Sequence, residues 1–392
     1  MARPERQSPL TRARRLAPVV VVAVALVAAA CSSGDDEASE APTTTASPPA
    51  PTDAAAPPSW APIAPADAGF DPAALDALLA DAEAAGSACV VVVRDGRVVV
   101  DEAWPAPTEP REVFSITKSL TSVLVGIAAE QGHLAFDDPV SRYVPEWQGT
   151  PSEAVTIEHL LAGVSGRHWD LATDYGQMAL REPDKTDFAI SLDQTDPPGT
   201  VWAYNNAAVQ VLSRVLEAAT GVDASTFAAQ ELFAPLGMER SELTRDPAGN
   251  PLTFMGLRST CSDVARLGQL LLEGGRWGAE RLLPDAYLEA ATQPATELNA
   301  AYGWLWWVNG EGPIAGPTLA TTGRPEAGPQ PQGPLVSAAP SDAFWALGLH
   351  DQVLAVLPSE GIVAVRLGSA PPPEAPFGVA QLTEGVLDAV AR

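Results

Sequence analysis

Two valine-rich strand pairs stand at opposite ends of this chain, and a fold has to bring both into one core. Towards the N-terminus, Ala88–Arg94 and Arg97–Asp101 flank Asp95-Gly96, a dipeptide that accepts positive φ and closes a tight hairpin. Towards the C-terminus, Val353–Leu357 and Ile362–Leu367 flank Pro358-Ser359-Glu360-Gly361. An isolated hairpin is marginal in water, so the simplest arrangement is one antiparallel sheet built from both ends. Helices are expected to cover it. One runs from Asp71 to Ala85, with Asp71 as cap, Pro72 in the first turn and Gly86 at the end. Another spans about Val379–Val390. The middle, about residues 115–300, is largely helical by pattern. The expected class is α+β, an antiparallel sheet flanked by helices with a mainly helical region inserted.

The first 60 residues do not belong to that core. Arg3, Arg6, Arg12, Arg14 and Arg15 precede an apolar run from Leu16 to Ala30. At about 15 residues the run is shorter than the ~20 of a membrane span, and residues 1–30 read as a signal peptide. The run ends Ala28-Ala29-Ala30-Cys31, which resembles a bacterial lipobox with Cys31 as the lipid anchor. Residues 31–60 are rich in Ser, Thr, Ala, Pro and acids. They carry too little apolar surface to offset their ordering entropy and read as a disordered linker. The expected domain is 61–392, displayed on the outer face of the cell membrane as a lipoprotein, or secreted. A formal charge of -26 repels phosphate backbones and argues against nucleic-acid partners.

Cys89 lies in a strand-like run and Cys261 opens a helix-like segment. Export makes a disulfide chemically possible, but two separate buried thiols are the expected reading. The cysteines and the histidines His133, His159, His168 and His350 lack metal-ligand spacing. Neither metal nor cofactor is expected.

Lys118 and Lys185 are the only lysines in the chain. Lys118 closes Ser115-Ile116-Thr117-Lys118, followed by an apolar helical pattern to Glu130. Residues three apart share a helix face, so Ser115 and Lys118 are expected side by side at a helix start. That pairs a nucleophile with an amine able to give up its proton, which arginine cannot do. A second element is Trp202-Ala203-Tyr204-Asn205-Asn206, ahead of a helix from Ala208 to Thr220 closed by Gly221. The turn is expected to display Tyr204 and Asn206 while Asn205 points away. A phenol beside an ammonium has its pKa lowered and can relay protons. Asn206 could hold the lysine or a substrate amide. The third element, Gly348-Leu349-His350-Asp351-Gln352, enters a late strand and can supply an oxyanion-binding N–H.

These three elements, in this order, resemble the serine β-lactamase and penicillin-binding superfamily. Thr156-Ile157-Glu158-His159-Leu160-Leu161 and Tyr302-Gly303-Trp304 support the likeness, which covers about residues 65–392. Within the superfamily the chain looks like the β-lactamase-related serine hydrolases, nearest the 6-aminohexanoate-dimer hydrolase branch. The Lys-Thr-Gly usual in true β-lactamases is missing. Asp351 stands where that branch usually has glycine; it either repels an anionic substrate or faces solvent. The resemblance implies a Ser115 acyl-enzyme, with Lys118 and Tyr204 as proton-transfer partners and the N–H groups of Ser115 and Leu349 binding the oxyanion. Asn206, Leu349, His350, Tyr175 and Trp304 would contact substrate, with Asp174 and Trp306 as further candidates. The implied substrates are small amides or esters. The alternatives are a D-Ala-D-Ala carboxypeptidase or β-lactamase, and a catalytically inactive surface binding protein. Residues 311–343, rich in Gly and Pro, read as a long mobile loop that could lie over the pocket as a lid.

Overall fold

The structure is a computed structural model that describes residues 58–105, 109–317, 322–323 and 329–391. The signal peptide, Cys31 and nearly all of the linker lie outside the described residues. Trp60 is already tied to the folded unit. Its N–H donates to Gly96 O at 3.1 Å, and the Arg266 guanidinium lies 4.5 Å over its ring.

Among the described residues the main sheet has six strands. They are β1 (Ser87–Arg94), β2 (Arg97–Ala103), β3 (Trp307–Val308), β4 (Phe344–Gly348), β5 (Gln352–Leu357) and β6 (Ile362–Gly368). Their spatial order is β2-β1-β6-β5-β4-β3, with every neighbouring pair antiparallel. The two ends of the chain meet at its centre, where Val91 of β1 faces Val365 of β6. Val90–Val93 are all buried, because helices cover both faces and leave no solvent side to demand alternation.

Six helices matter here: α1 (Pro72–Ala84), α2 (Ile116–Glu130), α3 (Ile157–Leu161), α4 (Asn206–Thr220), α5 (Cys261–Leu272) and α6 (Val379–Asp388). Asp71 accepts from Ala73 N–H and caps α1 as expected. Helix α5 lies against one face so closely that a Cβ at Gly268 would meet Val363 and Leu354 within 2.8 Å. On the opposite face Trp345 of β4 donates to Thr383 of α6 at 3.0 Å, and α1 packs on α6. Cys89 of β1 and Cys261 of α5 form a disulfide, which corrects the expectation of separate thiols. Strand pattern places Cys89 on the α5 face, but nothing in either local sequence says that the two residues meet.

The inserted region is less regular than expected. It includes the five-residue α3, a π-helical stretch Ala172–Ala179, and a small sheet made of Arg111–Glu112, Glu242–Leu243 and Leu257–Ser259. Pro139, Pro145, Pro151, Pro183 and Pro197 interrupt the apolar spacing and leave short turns instead of long helices. Helix α2 runs through its centre with Ile116 to Ala128 all buried. Its hydroxyls donate to carbonyls on distant segments: Ser119 to Leu305 at 2.7 Å, Thr121 to Thr253 at 2.7 Å, and Ser122 to Trp304 at 2.6 Å. These bonds satisfy the polar groups of a helix without a solvent face.

The two ends of 311–343 are tied down, against the expectation of a mobile loop; residues 318–321 and 324–328, within the stretch expected to form a lid, lie outside the described residues. Asn309 Nδ2 donates to the carbonyls of Val336, Ala339 and Pro340 within 3.1 Å, and Asn309 Oδ1 accepts from Val336 N–H. Asn299 exchanges two bonds with Ala315. Ala315, Val336 and Ala343 are buried. Among the described residues no helix is long and apolar enough to cross a membrane.

Candidate active site

Phe114, just before the candidate nucleophile, has φ of +50°, a left-handed backbone that costs a non-glycine residue ~1–2 kcal/mol. Thr117 holds it there. Its hydroxyl donates to Phe114 O at 2.6 Å and accepts from Leu257 N–H at 3.0 Å. The turn brings Ser115 to the start of α2, where its side chain makes no capping bond.

The Ser115 hydroxyl instead accepts from Lys118 Nζ at 2.9 Å. The amine also donates to Phe254 O at 2.9 Å, and lies 4.7 Å from the centroid of the Tyr204 ring. Lys118 is 1% exposed. Burial pushes its pKa down to about 7, against the opposing attraction of the Asp174 carboxylate.

Tyr204 is buried and hydrogen-bonded to the Ser115 side chain. Its pKa is raised, chiefly by burial, which corrects the expectation of a lowered one. Desolvation of a phenolate outweighs the cation, because Lys118 is itself poised to be neutral. The ring stacks on Trp307 at 5.9 Å and meets Tyr302 edge-on at 6.0 Å. Two bonds fix its backbone: Ala203 N–H to Gly163 O at 2.9 Å and Trp169 Nε1–H to Tyr204 O at 2.9 Å. Trp169 carries no motif that singles it out in the sequence.

Asn205 points away as expected, capping α4 through Ala208 N–H and donating to His168 O. Asn206 Nδ2 donates to Asp174 at 2.8 Å, not to Lys118. The Asp174 carboxylate also accepts from the N–H groups of Asn206 and Ala207. It is buried, and burial raises its pKa. Tyr175 bonds Asn206 and donates its hydroxyl to Pro317 O at 3.3 Å. Asp174, Tyr175 and Asn206 thus form one connected group reaching towards Lys118.

The turn between β4 and β5 touches the segment before Ser115. A Cβ at Gly348 would stand 2.3 Å from Val113 O, so only glycine allows this approach. The His350 ring meets the Phe114 ring edge-on at 5.2 Å. Leu349 is 61% exposed. Asp351 lies beside the start of α6, where a Cβ at Gly378 would come within 2.8 Å of its carboxylate. Trp304 and Trp306 are elsewhere. Trp304 packs on Phe136 at 4.8 Å, and Trp306 donates to the Tyr287 hydroxyl, which bonds Ser122 two turns along α2. Both side chains are core, which corrects the expectation that they line the pocket.

With this geometry in place, the Beta-lactamase family model matches residues 73–384. The chain belongs to the Beta-lactamase family. Its fold is that of this family. It is 31% identical over 185 residues to a D-aminopeptidase of Cereibacter sphaeroides, a match covering 42% of this chain and 35% of that one. The aligned stretch is thus about a third of that relative's length. A 6-aminohexanoate-dimer hydrolase of Paenarthrobacter ureafaciens is 23% identical over 72% of this chain and 73% of its own. The solved D-alanine carboxypeptidase AmpC of Burkholderia cenocepacia shares the fold, with a TM-score of 0.55 and 22% identity over 81% of this chain and 97% of that one. The sheet assembled from both chain ends and the inserted helical region are features of this family fold in the present chain.

Proposed function

We propose that this member of the Beta-lactamase family is an exported, membrane-tethered hydrolase that cleaves small amides or esters through an acyl-enzyme on Ser115. The observation that carries the reading is the fully buried Lys118 amine, 2.9 Å from Ser115 Oγ with a pKa lowered to about 7. Near neutral pH a large fraction of the amine is unprotonated. Neutral Nζ takes the Ser115 proton as Oγ attacks the carbonyl carbon. The carbonyl oxygen becomes an oxyanion, received by the N–H groups of Ser115 and Leu349. Tyr204, kept protonated by burial, donates to the leaving nitrogen or oxygen as the tetrahedral intermediate collapses, and recovers its proton from the Lys118 ammonium. Water then enters by the same relay in reverse and releases the acid. Tyr175 and Asn206 face the substrate from the other wall, and His350 and Leu349 from the turn.

The Cys89–Cys261 disulfide supports the exported setting, because such bonds persist in oxidising compartments. Cys31 is the proposed anchor, and small-molecule substrates and the membrane are the proposed partners. Intact-mass spectrometry tests the chemistry. The purified protein should gain one fluorophosphonate adduct, and Ser115→Ala should gain none. Equal labelling of the two would refute the Ser115 assignment. A chromogenic cephalosporin, turned over faster than p-nitrophenyl acetate, would move the protein towards the β-lactamase alternative.

A further inference from the structure

Arg366 is the one charged residue among the valines, leucine and isoleucine of β6, and it is 0% exposed. A buried cation needs compensation, and Arg366 finds it in oxygen atoms of the backbone and one serine. Nη1 donates to His350 O at 2.8 Å and Asp351 O at 3.0 Å. Nη2 donates to Ser369 O at 2.7 Å, and Nε donates to Ser87 Oγ on β1 at 2.9 Å. Gln352, also 0% exposed, reaches the same turn from the start of β5. Its Nε2 donates to Leu349 O at 3.1 Å, His350 O at 2.9 Å and Gly368 O at 2.9 Å, and its Oε1 accepts from Gly368 N–H.

Every carbonyl of the three-residue turn 349–351 is therefore bound from inside by one of two buried side chains. The turn needs such a grip. His350 and Asp351 have φ of +67° and +56°, a left-handed backbone that costs each non-glycine residue ~1–2 kcal/mol. A role in packing alone would be met by another valine, as at Val363 and Val365. The planar guanidinium fork supplies several donors in a fixed geometry, which a lysine cannot copy.

We propose that Arg366 and Gln352 are positioning residues that hold turn 349–351 so that Leu349 N–H stays aimed at the oxyanion. The proposal rests on the Ser115 acyl-enzyme reading above. Neither side chain touches the reacting atoms. Both act through the backbone, where a displacement near 1 Å costs about 10²-fold in rate.

The test uses the whole protein with a small ester, kcat and KM measured separately from pH 5 to pH 9, and thermal unfolding measured alongside. Gln352→Met removes the amide but keeps length. It should lower kcat by about 10²-fold, the scale of losing one oxyanion donor, with KM unchanged within about threefold and the Lys118-linked rise in rate at the same pH. Arg366→Lys should retain more activity than Arg366→Met. If the Arg366 variants do not fold, Gln352→Met and the milder Gln352→Asn decide the matter. A folded Gln352→Met with kcat within about threefold of wild type overturns the proposal. So does a loss confined to KM, or a moved pH profile. These results are separable from failure of the parent reading, which would appear as a wild-type protein that is not labelled at Ser115.

Discussion

Two strained turns meet at Ser115, and different chemistry holds each. The Phe114 turn is gripped by the Thr117 hydroxyl, on a helix that is itself fastened to its surroundings by neutral hydroxyl–carbonyl bonds. The 349–351 turn is gripped by a buried guanidinium and an amide. The first grip sits in the core beside Lys118, Asp174 and Tyr204, where desolvation moves every pKa. The second carries an exposed leucine and histidine and only has to keep a backbone direction. Changes on the Lys118 side should therefore alter how the rate depends on pH. Changes on the turn side should scale the rate equally at all pH values.

The largest expected effect is at Lys118. Lys118→Arg keeps a cation but cannot accept the Ser115 proton, and should lower kcat/KM by ~10³-fold or more in steady-state ester assays. Near-normal turnover would erase the contrast between the two turns.

Next is the pH profile of the wild type. In the proposed mechanism the active form is the neutral amine, so kcat/KM should rise with pH and level off above about 7. At pH 5 it should stand roughly 100-fold below that plateau, one decade per pH unit. Stability follows the same group. Lys118 has its folded pKa depressed from 10.5 to about 7, so between those values the unfolded chain binds the extra proton. Stability should therefore rise with pH across that window. Lys118→Met should remove this dependence in calorimetry.

Thr117→Val comes third. It leaves the buried Leu257 N–H without its acceptor, which costs about 1–3 kcal/mol, and it loosens the Phe114 turn. We expect a lower Tm and roughly tenfold less kcat, with the pH midpoint unmoved. The smallest effect is Asp174→Asn. It removes the charge that opposes the lowering of the Lys118 pKa. The rising limb should move to lower pH by about half a unit to one unit. Activity at pH 6 should change by only a few-fold, and a shift to higher pH would contradict the assignment.

Local signals carried most of the frame. Asp71 and Pro72 start α1, Asp95-Gly96 turns between β1 and β2, and Gly221 with φ of +78° ends α4, because capping and turn chemistry are properties of a few adjacent residues. Ser115 and Lys118 could be paired from helical spacing alone. What spacing cannot carry is long-range partnership. The Cys89–Cys261 bond, Phe254 O on Lys118, and the Asn309 and Asn299 anchors all join segments far apart in the chain. Strand β3 is two residues long, too short for any periodicity. Trp304 and Trp306 looked like pocket residues because an aromatic-rich motif reads the same whether it faces a cavity or a core. The motif around Tyr204 shows a nearby cation but not the depth of burial that raises its pKa.

The Cys89–Cys261 bond spans 172 positions, and Ser115, Lys118, Asp174, Tyr204 and Asn206 all fall between its two ends. The chain is thus a closed covalent ring with two tails, and the 349–351 turn with its Arg366 and Gln352 grip belongs to one of the tails. A protease that cuts once within the ring releases no fragment. Both pieces remain joined through sulfur, and the nicked molecule migrates as an intact chain until a reductant is added. A single cut between Cys261 and Leu349 has the opposite result. It severs the 349–351 turn from the ring covalently and leaves it held by packing alone, as of β6 against β1 and of His350 against Phe114. The same number of broken peptide bonds therefore has unequal consequences, set by which side of Cys261 the cut falls on.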